Sequence, residues 1–236
     1  MEIFNPNITG SVTLNGDTIT TWPTGSGGGG SSPTLDFDTK TLNLNGATDV
    51  YGYQYYIGYT QFGYLNTGEL VAGEAITLTN YSNLKNVGYN GLYYVGFSGS
   101  YDFPSLEVLG SYAMAFSRMT EFNAPNLKFA NNFCLGGTTN MNILVSASLG
   151  TSTTLEKMNG SVFSNQVNLA YVDISTLSTS SINNLGGSPA NNSVFNNVAS
   201  GGTIYVPSFF ETNNSGQPDG DIVYLRDTKG WTINYV

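Results

Sequence analysis

The chain has 236 residues, with seven Lys and Arg against 16 Asp and Glu, no His, and a net charge of −9. Only 10% of its residues are charged, far below the roughly 25% usual for soluble domains. Cations this few and scattered exclude a nucleic-acid partner, since phosphate binding needs clustered Lys and Arg, and the lack of His removes the commonest general base and metal ligand.

The length suffices for a real core in one or two domains. Met1-Glu-Ile-Phe-Asn-Pro-Asn7 has no basic and apolar leader pattern, and no later stretch is apolar enough to span a bilayer. The expectation is a chain assembled in the cytoplasm without membrane insertion. Ile8, Val12 and Leu14 share one alternating face, Asn15-Gly16-Asp17 is a turn signal, and Thr18 to Trp22, including Ile19, resumes an extended pattern. Residues 1–23 are therefore read as a β-hairpin. A lone hairpin is marginal in water, so this one either anchors the chain to another protein or caps the first repeat.

Residues 24–33, Thr24-Gly-Ser-Gly-Gly-Gly-Gly-Ser-Ser-Pro33, read as a flexible tether with a root-mean-square span of ~18 Å. Residues 34–74 form a Tyr-rich capping or amino-terminal β region. In it Tyr51, Tyr53, Tyr55 and Tyr59 share one face of an expected strand. Rings with polar tips suit stacking on sugars or anchoring protein interfaces, or else packing under a loop. Tyr89, Tyr93, Tyr94 and Phe97 are read as extending the same surface.

Residues 75–236 repeat. Pro104, Leu106, Val108 and Tyr112 each find a counterpart 21 residues on, at Pro125, Leu127, Phe129 and Phe133. Ser82 to Gly88 aligns with Pro104 to Gly110 at a spacing of 22, and Leu155 takes the place of Leu127 after a longer stretch, in which Leu144 to Thr154 reads as an inserted loop. The runs Ile76 to Leu78, Met119 to Phe122, Met141 to Val145, Leu169 to Ile174 and Thr203 to Val206 each predict one parallel strand per coil. Self-similarity at such a period predicts a mainly β solenoid whose units bury their faces against their neighbours.

On these residues the chain resembles the BspA-like leucine-rich repeats. Phe116-Ser-Arg-Met-Thr-Glu-Phe-Asn-Ala-Pro-Asn-Leu127 and Val162 to Ile174 read as units, and Ser193 to Pro207 with Gly230-Trp-Thr-Ile-Asn-Tyr-Val236 resembles the close of such arrays. Units of this family often carry a Cys, matched here only by Cys134. The order hairpin, tether, repeats, with the style of Ile8-Thr-Gly-Ser-Val-Thr-Leu-Asn-Gly16, resembles virion proteins of tailed bacteriophages. That resemblance implies a non-enzymatic fibre or adhesin, located in the virion and held to other virion proteins through residues 1–22, with Ile8, Val12, Leu14, Ile19 and Trp22 as anchoring residues. Its partner would be a host-surface glycan or protein, and it would form a homo-oligomer such as a trimer. The BspA-like resemblance alone implies instead an adhesin on a bacterial cell surface.

Catalysis, cofactors and metals find little support. A carboxylate-based polysaccharide depolymerase would draw on Asp36 and Asp38, on Glu107 and Glu121, or on Asp219 and Asp221, all read as solvated single acids. Asp219 and Asp221 would supply only two of the six to eight oxygens that Ca²⁺ takes. Cys134, between Phe133 and Leu135, is read as a core residue.

Overall fold

A computed structural model describes residues 7–8, 12–14, 17–19, 34–36, 39, 41–50, 76–93, 95–137, 143–178, 194–213 and 215–236, the first four ranges as backbone alone. In chain order the strands are β1 (Asn7–Ile8), β2 (Val12–Leu14), β3 (Asp17–Ile19), β4 (Thr34–Asp36), β5 (Thr41–Asn43) and β6 (Asp49–Val50). Then come β7 (Thr77–Thr79), β8 (Asn86–Val87), β9 (Ser98–Asp102), β10 (Val108–Leu109), β11 (Arg118–Ala124) and β12 (Phe129–Ala130). The last are β13 (Ser146–Leu149), β14 (Lys157–Met158), β15 (Tyr171–Asp173), β16 (Thr203–Val206) and β17 (Thr232–Tyr235). The chain is mainly β, with 31% strand and 9% helix, and its sheets are open.

Two parallel ladders dominate. One joins the two-residue strands in the order β14-β12-β10-β8-β6, and the other joins longer strands as β17-β16-β15-β13-β11-β9. From β8 to β15 the chain alternates between them, passing from a short strand through a turn to a long strand and round a corner to the next short one. Parallel neighbours need a crossover of a dozen residues or more, and here the return path is itself a strand of the second ladder. Each repeat from β8 to β15 thus contributes two strands, where the sequence predicts one, while β15, β16 and β17 follow one another in the long ladder among the described residues.

Register bears out the repeat spacing residue by residue. Val108 pairs with Asn86 and with Phe129, the offsets of 22 and 21 read from the sequence. Phe129 pairs with Lys157, which sets Leu155 opposite Leu127 as expected. The stretch around residue 147 departs from expectation. Residues 143–145 are not strand, and Ser146–Leu149, read as loop, form β13 in register with β11 and β15. Ser and Ala have weak strand propensity, and it is the ladder on both sides that makes this segment extended. Phe122 pairs with Ala147 and Ala130 with Met158, so the corner from β13 to β14 is three residues longer than that from β11 to β12. Three of the seven extra residues of this repeat lie there, and the other four lie between β12 and β13, since Ala130 to Ala147 is four residues longer than Leu109 to Phe122.

Inward side chains stack from repeat to repeat. Leu84, Leu106, Leu127, Leu155 and Leu177 form one buried column, and Tyr101, Phe122, Ala147, Val172 and Ile204 another. Fully burying a Leu or Phe contributes about 1.5–3 kcal/mol. Cys134 lies in the core between Ala113 and Val162, fully buried, and burial pushes its thiol pKa far up. Phe97 is also wholly buried, which corrects its reading as part of a surface. It bridges to Ile76 at the meeting of two sheets, where a large apolar ring fills the interior.

At the amino end, β2 and β3 pair antiparallel as the expected hairpin, Val12 opposite Ile19. Ile8 lies apart from it on β1, which pairs in parallel with β4 in the sheet β1-β4-β5-β7. At the carboxyl end a short 3-10 turn (Ser208–Glu211) precedes α1 (Gly220–Val223), which runs into a π-helical turn (Tyr224–Thr228). Trp231 closes the core. Its Nε1 donates to the Ala199 carbonyl at 2.8 Å, and its ring lies over Gly202, where a Cβ would come within 2.6 Å of it.

Candidate binding surface

Between the short and long strands of each repeat the chain turns through residues in the left-handed region, and two repeats place aromatics there. Tyr112, Phe116 and Phe133 have φ of 58°, 61° and 57°. Few non-glycine residues adopt this conformation, at a cost of roughly 1–2 kcal/mol. The turns are held by bonds between repeats: Tyr112 N–H donates to Asn132 O at 3.0 Å and Phe116 N–H to Gly136 O at 2.9 Å. The left-handed backbone carries these rings away from the main core into a second cluster.

In that cluster Tyr93 lies edge-on to Tyr112 with centroids 5.8 Å apart and tilts against Phe116 at 5.2 Å. Phe133 contacts both Tyr112 and Phe116, at 5.3 and 5.6 Å. Tyr89 extends the row, edge-on to Tyr112 at 6.3 Å and 65% exposed. Beneath the rings Ala115 is fully buried. Phe133 folds over Gly136, where any Cβ would meet its ring at about 2.4 Å. Each aromatic pair contributes about 0.5–1.5 kcal/mol beyond burial, which holds the rings against one another. Tyr93, Tyr112 and Phe133 are half-buried.

Of the sequence-predicted surface, Tyr93 is in this cluster, while Tyr51, Tyr53, Tyr55, Tyr59 and Tyr94 lie outside the described residues. Tyr112 and Phe133 were visible as repeat positions but not as a surface, since only the left-handed turn turns them outward. Among the proposed anchoring residues, Ile8, Val12, Leu14 and Ile19 fall on β1, β2 and β3, and Trp22 lies outside the described residues.

The candidate acids are dispersed. Glu121 is exposed on β11, Asp36 is on β4, and Asp38 is outside the described residues. Glu107 accepts from Lys128 Nζ at 2.7 Å, a bond that holds its carboxyl below the usual range. Asp219 and Asp221 are 2% and 1% exposed, which corrects their reading as solvated. Asp219 caps α1, its carboxylate accepting from Asp221 N–H at 2.9 Å. Burial raises its pKa, ahead of that opposing bond.

Among the described residues no group of three or more Cys, Asp or Glu is close enough to hold a metal ion, and no helix is long and apolar enough to cross a membrane. No family model, curated protein or solved structure matches the chain.

Proposed function

We propose that the chain is a leucine-rich-repeat-like solenoid that works as a non-enzymatic binding module, presenting the aromatic row of Tyr89, Tyr93, Tyr112 and Phe133 to a glycan. The observation that carries this reading is the second aromatic cluster itself. It is separate from the main core, three of its rings stand on residues that accept left-handed strain, and its tyrosines, Tyr93 and Tyr112, carry polar tips. Strained backbone is kept where something over-determines it, and such sites are often functional. The polar, weakly charged surface around it suits weak binding per copy, raised by avidity when many copies are displayed.

The solenoid reading is supported by the two parallel ladders and the buried columns that run along them. The hairpin, tether and repeat order supports display on a bacteriophage particle, attached through residues 1–22, with a bacterial surface adhesin as the competing setting.

The test of binding is retention of the purified chain on an array of bacterial-surface glycans. Retention that Tyr89→Ala weakens about tenfold, by loss of a stacking ring, is the expected result. No retention on any glycan overturns the reading. Mass spectrometry of purified phage particles tests the setting: peptides of residues 1–22 in the particle support a virion protein, and recovery only in a bacterial envelope fraction supports the adhesin.

A further inference from the structure

A second feature lies on the corners, away from the aromatic row. Lys85, Glu107, Lys128 and Glu156 occupy one position on four successive repeats, because each passes its backbone on: Glu107 N–H donates to Lys85 O at 2.8 Å, Lys128 N–H to Glu107 O at 2.9 Å and Glu156 N–H to Lys128 O at 2.8 Å. Successive parallel rungs lie about 4.8 Å apart. The first three line a groove of about 340 Å³, walled by Pro104, Asn126 and Thr153. Thr153 belongs to the corner that carries the three-residue insertion. The volume falls at the low end of small-ligand sites.

The charges in the groove do not cancel. Lys128 donates to Glu107 at 2.7 Å, while Lys85 makes no ion pair among the described residues. The rung above Lys85 is Thr48, whose carbonyl accepts the Lys85 N–H, so the alternation of sign stops at a cation. The groove lining itself holds two cations and one anion, while Glu156 on the next rung acts on Lys128 from the far side, so the cation left without a close acid among the described residues is Lys85, on a frame fixed by backbone bonds.

We propose that this groove takes a carboxylate-bearing sugar unit of an acidic glycan, and this rests on the glycan reading above. The Lys85 ammonium meets the carboxylate, a charge-assisted contact. The Glu107 carboxylate and the Asn126 and Thr153 side chains meet ring hydroxyls, and Pro104 offers an apolar wall to the C–H face. Asn126 is already oriented for this, since its Nδ2 donates to Pro104 O at 2.7 Å and leaves its Oδ1 to accept. The groove selects for charge, and the aromatic row supplies contact area without regard to charge.

The experiment is calorimetric titration of the full chain with hexagalacturonate and, separately, with maltohexaose. The expected result is tighter binding of the acidic hexamer, weakened by added salt and reduced about tenfold by Lys85→Glu, with Lys85→Gln intermediate. Lys85 is exposed and makes no ion pair among the described residues, so these variants fold as the parent does. Equal binding of the two hexamers, or acidic binding indifferent to Lys85→Glu, overturns the groove proposal. If maltohexaose then binds and Tyr89→Ala abolishes it, the glycan reading stands without the groove. Binding of neither hexamer overturns the groove proposal, and the array experiment decides the wider reading.

Discussion

The Leu78 amide donates to the phenol oxygen of Tyr101 at 3.1 Å, across the seam where the sheet ending in β7 meets the sheet beginning with β9. Among the described residues these two sheets share only the bridge between Ile76 and Phe97. A side chain thus satisfies a backbone donor that a continuous ladder would have paired. Tyr101 can do so because it stands in the core, 7% exposed, against Phe97 and Phe103.

Removing that hydroxyl leaves a buried N–H without a partner. Tyr101→Phe is expected to cost about 1–3 kcal/mol and to act locally. Hydrogen exchange is the measurement. Leu78 should lose protection while Phe122 and Val172 keep theirs, and uniform loss across the chain would mean that the seam is not a separate unit.

Close approach of repeats sets a harder limit at Gly110. A Cβ there would lie 2.6 Å from the Gly88 carbonyl carbon and 2.7 Å from the Tyr89 nitrogen. Both are backbone, so relief requires the turns to move apart. Gly110→Ala is expected to destabilise by about 3 kcal/mol, and urea unfolding would show it. A change below 1 kcal/mol, about the scale of a benign surface substitution, would argue against such tight stacking.

Left-handed positions offer the opposite sign. Ser161 has a φ of 63° and is half-buried, with no ring to lose. Relief of strain of about 1–2 kcal/mol, less the entropy of a new glycine of about 0.5–1 kcal/mol, leaves a small gain for Ser161→Gly. The melting temperature should rise by about 2 °C. Phe116→Gly relieves the same strain but removes a ring packed on Tyr93 and Phe133, and there the melting temperature should fall.

Asp219 makes the carboxyl end sensitive to pH. Because burial raises its pKa from the usual 3.8, the folded chain holds this proton more tightly than the unfolded chain does. The stability it contributes is complete below the unfolded value and is lost as pH rises through the folded one. Asp219→Asn keeps an oxygen to cap α1 and removes the titration, so its stability relative to the parent should increase over that rise. Asp219→Ala also loses the cap, at a cost of about 1 kcal/mol. Parallel pH profiles for parent and Asp219→Asn would show that the carboxyl does not titrate differently in the fold.

Much of the repeat was legible because it rests on large apolar residues at fixed intervals. Leu106 and Leu127 mark the corner, and Val108 and Phe129 fall on paired strands as their spacing implied. The segment Ser146–Leu149 was not legible, since its small residues signal nothing until neighbouring strands fix its register. Asp219 misled for a related reason. A single acid beside Gly220 looks like an exposed turn, and only the docking of Ile222 and Leu225 into the core, both at most 1% exposed, draws the cap inside with them. The aromatic row was half legible: Tyr93 was singled out by composition, whereas Tyr112 and Phe133 depended on backbone dihedrals that no side-chain pattern announces.

Cys134 turns the middle of the molecule into its own clock. A thiol with no exposed surface and a strongly raised pKa is inert toward alkylating reagents, since the thiolate is the reactive form. It becomes modifiable only when the repeats on either side of it part. The chain has one cysteine, so every labelled molecule reports the same event. The rate at which label accumulates in native buffer measures how often the central repeats open, with no probe added to the sequence.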